Sequence, residues 1–174
     1  MNFRRVILGA SLASLLAVAA VCVVAASDDE IEPAPNFRAK TLTGESFNNA
    51  SVKGKVVLLE FWTTWCPYCR DEEKLVDELN GEFSSKGLIV LAVDVGESKK
   101  KVKKYLEEHP RSCRIVLTED TNLAAMYEAT SYPIYVVIDR EGNVAATQRG
   151  AGGKRALRYL LRRAGLQNDE QEEN

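Results

Sequence analysis

The stretch from Val56 to Cys69 restricts the fold of this chain more than any other. Val56 to Trp62 is a continuous apolar run broken only by Glu60, the pattern of a central strand buried on both faces. Pro67 then stands where a first helical residue belongs, and Leu75, Val76 and Leu79 give one inward face to a helix running from Cys66 to about Phe83. Trp65-Cys66-Pro67-Tyr68-Cys69 lies at the junction. A strand that feeds a helix in this way needs a sheet around it, so the chain is expected to be α/β.

The remaining pattern agrees. Phe37 to Ala39, the turn Thr43-Gly44-Glu45 and Phe47 predict a short N-terminal β-hairpin. Leu88 to Val93 is a second buried strand, and Ser98 caps a helix that runs to about Glu108 before Pro110. A short strand at Ile115 to Leu117 and a short helix at Thr121 to Glu128 follow. Ile134 to Asp139 and Val144 to Gln148 form a hairpin across Glu141-Gly142-Asn143, and Lys154 to Ala164 is a closing helix. A mixed β-sheet flanked by helices results, with its chemistry expected at the carboxyl ends of the strands.

The N-terminus sets the compartment. Arg4 and Arg5 precede an uncharged run from Val6 to Ala26, which makes residues 1–26 a signal peptide or a signal anchor. Val24-Ala25-Ala26 supplies small residues for cleavage, and the same run is long enough to span a bilayer uncut; both readings stand. Either way the following domain is expected to be extracytoplasmic, periplasmic or anchored facing outward, with membrane contact only through this segment. Residues 27–35 read as a polar spacer, 36–166 as the domain, and 167–174 as an acidic disordered tail. With a formal charge of −2 there is no basic excess, and no nucleic-acid partner is expected.

Outside the leader the cysteines are Cys66, Cys69 and Cys113, a number that cannot all pair within the chain. A bridge across two intervening residues closes too small a loop to stabilise a fold much, so a working dithiol suits the count better than a staple. Cys66 at a helix start faces unpaired N–H groups and the positive end of the helix dipole, which favour its thiolate. Cys69, still in the first turn, is the expected resolving thiol. Trp65, Pro67 and Tyr68 frame the pair. Glu60, six positions before Cys66, carries a desolvation cost unless protonated or partnered. It is either a buried acid that accepts the Cys69 proton or a strand-edge carboxylate reaching solvent.

Other readings were open at this level. His109 and Cys113 offer a spacing that would complete a zinc site with Cys66 and Cys69; otherwise His109 ends a helix and Cys113 is a small buried side chain. Glu72 reads from the residues alone as a helix-surface carboxylate; at Pro133 a cis bond is open, with a trans proline starting a strand the reading the residues favour. The lysines between Lys99 and Lys104 read as a solvated helix face, and Gly150, Gly152 and Gly153 as a loop without a nucleotide site.

Pro35-Asn36-Phe37, Lys53-Gly54-Lys55 entering the first buried strand, Phe61-Trp62, Trp65 to Arg70, and Tyr132-Pro133 before Val136-Val137-Ile138-Asp139 together resemble the thioredoxin superfamily, within it the TlpA/ResA-like bacterial oxidoreductases grouped with the redoxins. The resemblance implies a thioredoxin-like fold and a cis-proline at Pro133. It also implies that the Tyr132 backbone pairs with bound substrate as an added strand, and that Glu72 lies near the dithiol and tunes it. Glu60 departs from the asparagine common in that subgroup and looks like the buried acid of thioredoxins and protein disulfide isomerases.

The expected function is a thiol-disulfide oxidoreductase that reduces client disulfides, using no cofactor beyond the Cys66–Cys69 disulfide and no metal. The resemblance implies clients such as apocytochrome c and a membrane electron donor. The alternatives are a peroxide reductase, which Leu59 at the position of a required proline disfavours although Thr63 fits, and a redox-inert or zinc-binding partner protein.

Overall fold

A computed structural model of the chain describes residues 32–167, so the expected leader (1–26) and the acidic tail (168–174) lie outside the described residues. The described part is a seven-stranded mixed sheet in the order β2-β1-β5-β4-β3-β6-β7, with helices on its faces. Its strands are β1 (Arg38–Thr41), β2 (Ser46–Asn48), β3 (Val56–Trp62), β4 (Leu88–Asp94), β5 (Arg114–Thr121), β6 (Ile134–Ile138) and β7 (Val144–Arg149). The helices are α1 (Pro67–Phe83), α2 (Lys99–Glu108), α3 (Leu123–Met126) and α4 (Gly153–Arg163).

β3 is buried along its whole length because it is paired on both edges, parallel to β4 and antiparallel to β6. Its alternate residues serve two cores. Val56, Leu58 and Trp62 pack with Cys66, Cys69, Val76 and Leu79 under α1, whereas Val57, Leu59 and Phe61 pack on the opposite face with Leu91, Val136 and Leu123. The period-two pattern therefore places Glu60 on the face that carries the dithiol.

The N-terminal hairpin β1–β2 extends the sheet through β5. This lengthens β5 beyond the expected Ile115 to Leu117: its start pairs with β4, and its later residues pair with β1. The expected helix at Thr121 to Glu128 shrinks to α3, because Thr121 is still in the β1 ladder. Residues 32–34, at the end of the expected spacer, dock on the β6–β7 turn: Ala34 N–H donates to the Gly142 carbonyl, and Val144 N–H to that of Glu32.

Candidate active site

β3 stops at Trp62 and α1 begins at Pro67, so the four residues between them carry the chain over the carboxyl edge of the sheet. Cys66 is the N-cap of α1, and Pro67 follows at the position where a missing N–H costs nothing. The Cys66 Sγ accepts the backbone N–H of Cys69 at 3.1 Å, as an oxygen does at an ordinary cap. No acidic residue occupies the first turn of α1, so the positive helix end acts on this sulfur without a competing anion.

Cys66 and Cys69 are joined as a disulfide with Cα atoms 5.3 Å apart. Cys66 keeps 3% exposure and Cys69 none, so attack from outside can reach only the first sulfur. Around that opening stand Trp65 and Tyr68, 61% and 64% exposed. Trp65 meets the ring of Tyr132 edge-on at 5.9 Å. The Tyr132–Pro133 bond is cis, the geometry implied by the resemblance rather than by the residues alone. The Tyr132 hydroxyl donates to the Ala129 carbonyl, and the Pro133 carbonyl accepts from Gly150 N–H.

Glu60 does not reach solvent. It is fully buried on the dithiol face of β3, where Arg111 Nη2 donates to its Oε2 at 2.9 Å. Arg111 is also buried; its Nε donates to Asp77 Oδ1 at 3.3 Å, and its guanidinium lies 5.8 Å from the Trp62 ring centre. Burial pushes the Glu60 carboxyl above its usual range, and Arg111 pulls it back without cancelling the shift. On the other partner burial opposes the charge, and Glu60, Cys113 and Asp77 together more than offset this, so the guanidinium is held protonated. Sequence reasoning missed Arg111 and Asp77. Pro110-Arg111-Ser112 has no periodicity, and nothing in it shows that the loop folds back under β3.

Glu72 is a correction to the helix-surface reading. It is buried, and both its oxygens are engaged: Oε2 accepts the Tyr135 hydroxyl at 2.8 Å, and Oε1 accepts Gly152 N–H at 3.0 Å and Gly153 N–H at 2.5 Å. The carboxylate therefore caps the positive end of α4 from across the fold. Gly152 has no room for a side chain, since a Cβ there would stand 2.0 Å from Gln148 Nε2 and 2.7 Å from the Ala156 Cβ. Tyr135 lies directly opposite Glu60 in the β3–β6 ladder, and burial, then Glu60 and Glu72, raise its hydroxyl pKa far above the ordinary value. Glu72→Leu leaves the buried Tyr135 hydroxyl and two part-buried backbone N–H groups without their acceptor and should lower stability by roughly 2–3 kcal/mol, against roughly 1 kcal/mol for Glu72→Gln. Urea unfolding of the two variants beside the parent checks the order.

The groups invoked for zinc lie apart in role. His109 stacks on Tyr105 at 4.4 Å, and the Cys113 thiol is free, buried and pushed well above its usual pKa, by burial first. Among the described residues no three His, Cys, Asp or Glu side chains are grouped to hold a metal ion.

The AhpC/TSA family matches residues 31–147. The chain is 33% identical over 135 residues to the thioredoxin-like protein YneN of Bacillus subtilis, which covers 76% of this chain and 78% of that one. It is 32% identical over 124 residues to the thiol-disulfide oxidoreductase ResA of the same organism, covering 71% and 69%. Among solved structures, a putative thiol:disulfide interchange protein DsbE from Chlorobium tepidum superposes with a TM-score of 0.70 at 26% identity, covering 78% of this chain and 97% of that one. A buried cysteine pair at the N-terminus of a helix on a thioredoxin-like sheet, together with these relatives, shows that the chain belongs to the AhpC/TSA family as a ResA-like thiol-disulfide oxidoreductase of the thioredoxin superfamily.

Proposed function

We propose that this oxidoreductase works outside the cytoplasm as a reductase of client-protein disulfides, with Cys66 as nucleophile, Cys69 as resolving thiol and no cofactor beyond their disulfide. The observation that carries the reading is the Cys66 sulfur at the N-cap of α1, at the edge of the exposed aromatic rim, with Cys69 sealed behind it. In the reduced enzyme the Cys66 thiolate attacks one sulfur of a client disulfide; the S–S bond breaks, and the departing client thiolate takes a proton from water. Cys69 gives its proton to Glu60 and attacks Cys66 Sγ, which breaks the mixed disulfide and releases the second client sulfur as a thiolate that takes its proton from water. The client gains two electrons and the enzyme becomes the Cys66–Cys69 disulfide, to be re-reduced by a membrane donor.

Tyr132 offers its backbone as an edge for an extended client segment, with Trp65 and Tyr68 beside it. The Arg4-Arg5 leader pattern supports the extracytoplasmic location, and the family resemblance supports apocytochrome c as a client. The purified protein is expected to reduce insulin disulfides and to have a reduction potential toward the roughly −270 mV of thioredoxin. A potential near the roughly −120 mV of strong oxidants would reverse the assigned direction.

A further inference from the structure

Asp94 and Glu97 take no part in the exchange cycle, yet Glu97 holds the loop that leads into Cys66, and both carboxyls act on the Tyr132 hydroxyl. Asp94 ends β4, level with Trp62 on β3 and Leu117 on β5, and is fully buried. Its Oδ1 accepts the N–H of Glu97 at 3.3 Å, and its Oδ2 has no hydrogen-bond partner among the described residues. Glu97, its side chain 5% exposed, reaches the loop before the helix: Oε2 accepts the Thr64 N–H at 2.5 Å, and Oε1 accepts the Thr64 hydroxyl at 2.8 Å. Thr64 stands two residues before Cys66, whose N–H donates to the Thr63 carbonyl. On the other side is Tyr132, whose hydroxyl pKa is raised by burial and then by Asp94 and Glu97.

Two interacting carboxyl groups, one fully buried and the other with a side chain 5% exposed, do not both ionise cheaply. Burial first, then Glu97, pushes Asp94 from 3.8 up to about 8, with Lys101 pulling the other way. Burial opposes the Glu97 charge, but the neighbouring Asp94 carboxyl, Lys101 and Thr64 outweigh it and hold that carboxyl below its usual range. At neutral pH one proton thus resides on Asp94, and Glu97 is the anion that grips Thr64. The titratable groups facing the pair are Lys101 of α2, which bridges to Glu97 Oε1 at 2.5 Å, and Tyr132 before β6. From β3 and β5 the facing residues are Trp62, Leu117 and Thr118, whose hydroxyl donates to the Asp94 carbonyl; none of them titrates.

We propose that Asp94 and Glu97 are positioning residues that form a one-proton carboxyl clamp on loop 63–66. With the proton in place Glu97 fixes Thr64 and so the cap geometry of Cys66; without it two adjacent carboxylates repel, and the loop slackens. Exchange thereby acquires an alkaline limit that the cysteines themselves do not set. This rests on the chain being a thiol-disulfide exchanger, but not on the role of Glu60 or on the direction of electron flow.

The test is the rate of exchange between the reduced full-length chain and a small peptide disulfide, followed from pH 6 to 10, with thermal unfolding read on the same samples. The wild-type rate should rise with thiolate formation and then fall above about pH 8. Asp94→Asn, which stays neutral, should keep rising to a plateau and run several-fold faster than wild type at pH 9.5. Because the folded state raises the Asp94 pKa, wild type loses stability relative to Asp94→Asn as pH climbs from about 4 to about 8, after which the gap is constant. Glu97→Gln removes the second charge and should also abolish the alkaline fall, which answers the question if Asp94→Asn does not fold. Superimposable wild-type and Asp94→Asn rate profiles, or a wild-type profile with no alkaline fall, would overturn the clamp. No exchange at any pH would instead sink the oxidoreductase reading, and the widening unfolding gap would still report the shared proton.

Discussion

Cys66→Ser is expected to lose all measurable disulfide exchange, while Cys69→Ala reacts once with each client and stops. The physical reason is the asymmetry of the site. Of the paired cysteines only Cys66 keeps any exposure, and only its sulfur receives the field of the α1 terminus together with the Cys69 N–H. A serine hydroxyl at that place is not ionised by such a field, because its proton is held far more tightly than a thiol's. Cys69 is sealed from solvent and meets no client directly, so removing it spares the first attack and deletes the resolving one. Non-reducing gels and mass spectrometry of Cys69→Ala with client protein should show a one-to-one adduct on Cys66. An adduct on Cys113, or none, would count against the assignment.

Arg111→Met is expected to be the most damaging change away from the sulfurs. It strips the cation from a fully buried Glu60 and from Asp77, and breaking a buried pair in this way costs about 3–5 kcal/mol. The loss depends on pH. The folded pKa of Glu60 already lies above its ordinary 4.5 and rises further without Arg111, so the neutral form suits the fold. The penalty is small below about 4.5, where folded and unfolded chains both hold the proton. It stays so until pH passes the parent's folded pKa and grows above it, where Glu60 ionises beside Arg111 in the parent but must still hold its proton in the variant. Glu60→Gln combined with Arg111→Met should recover part of the stability, since no uncompensated charge then remains on β3. Denaturant unfolding below and above that pKa reads both effects. An equal loss at the two pH values, with no recovery in the double variant, would show that the pair's charges are not what matters.

The dithiol was legible at once, because its chemistry is local: a strand pattern, a capping position, a proline at the first helical site and a second sulfur one turn on are all set by neighbours in sequence. The same holds for β3, α1, α2 and the closing hairpin, whose bounds follow from periodicity and stop signals. Where neighbours in sequence do not decide, the reading fell short. β5 outgrew its apolar core because β1 supplied it with a second partner, and the Glu32 to Ala34 segment joined the domain through a turn more than a hundred residues away.

The carboxylates show the boundary most sharply. That Glu60 sits in an apolar strand was plain from its flanking residues, and that it needs a partner followed from the cost of burying charge. Which partner it has was decided by tertiary packing alone, which folds Arg111 across from the α2–β5 loop. Glu72 looked exposed because one turn of helix cannot reveal that Tyr135 and the start of α4 close over it. Helical and strand periods, caps and cysteine spacing are short-range quantities, and a single chain displays them. Burial and charge pairing depend on which distant segments meet, and only the folded sheet brings those segments together.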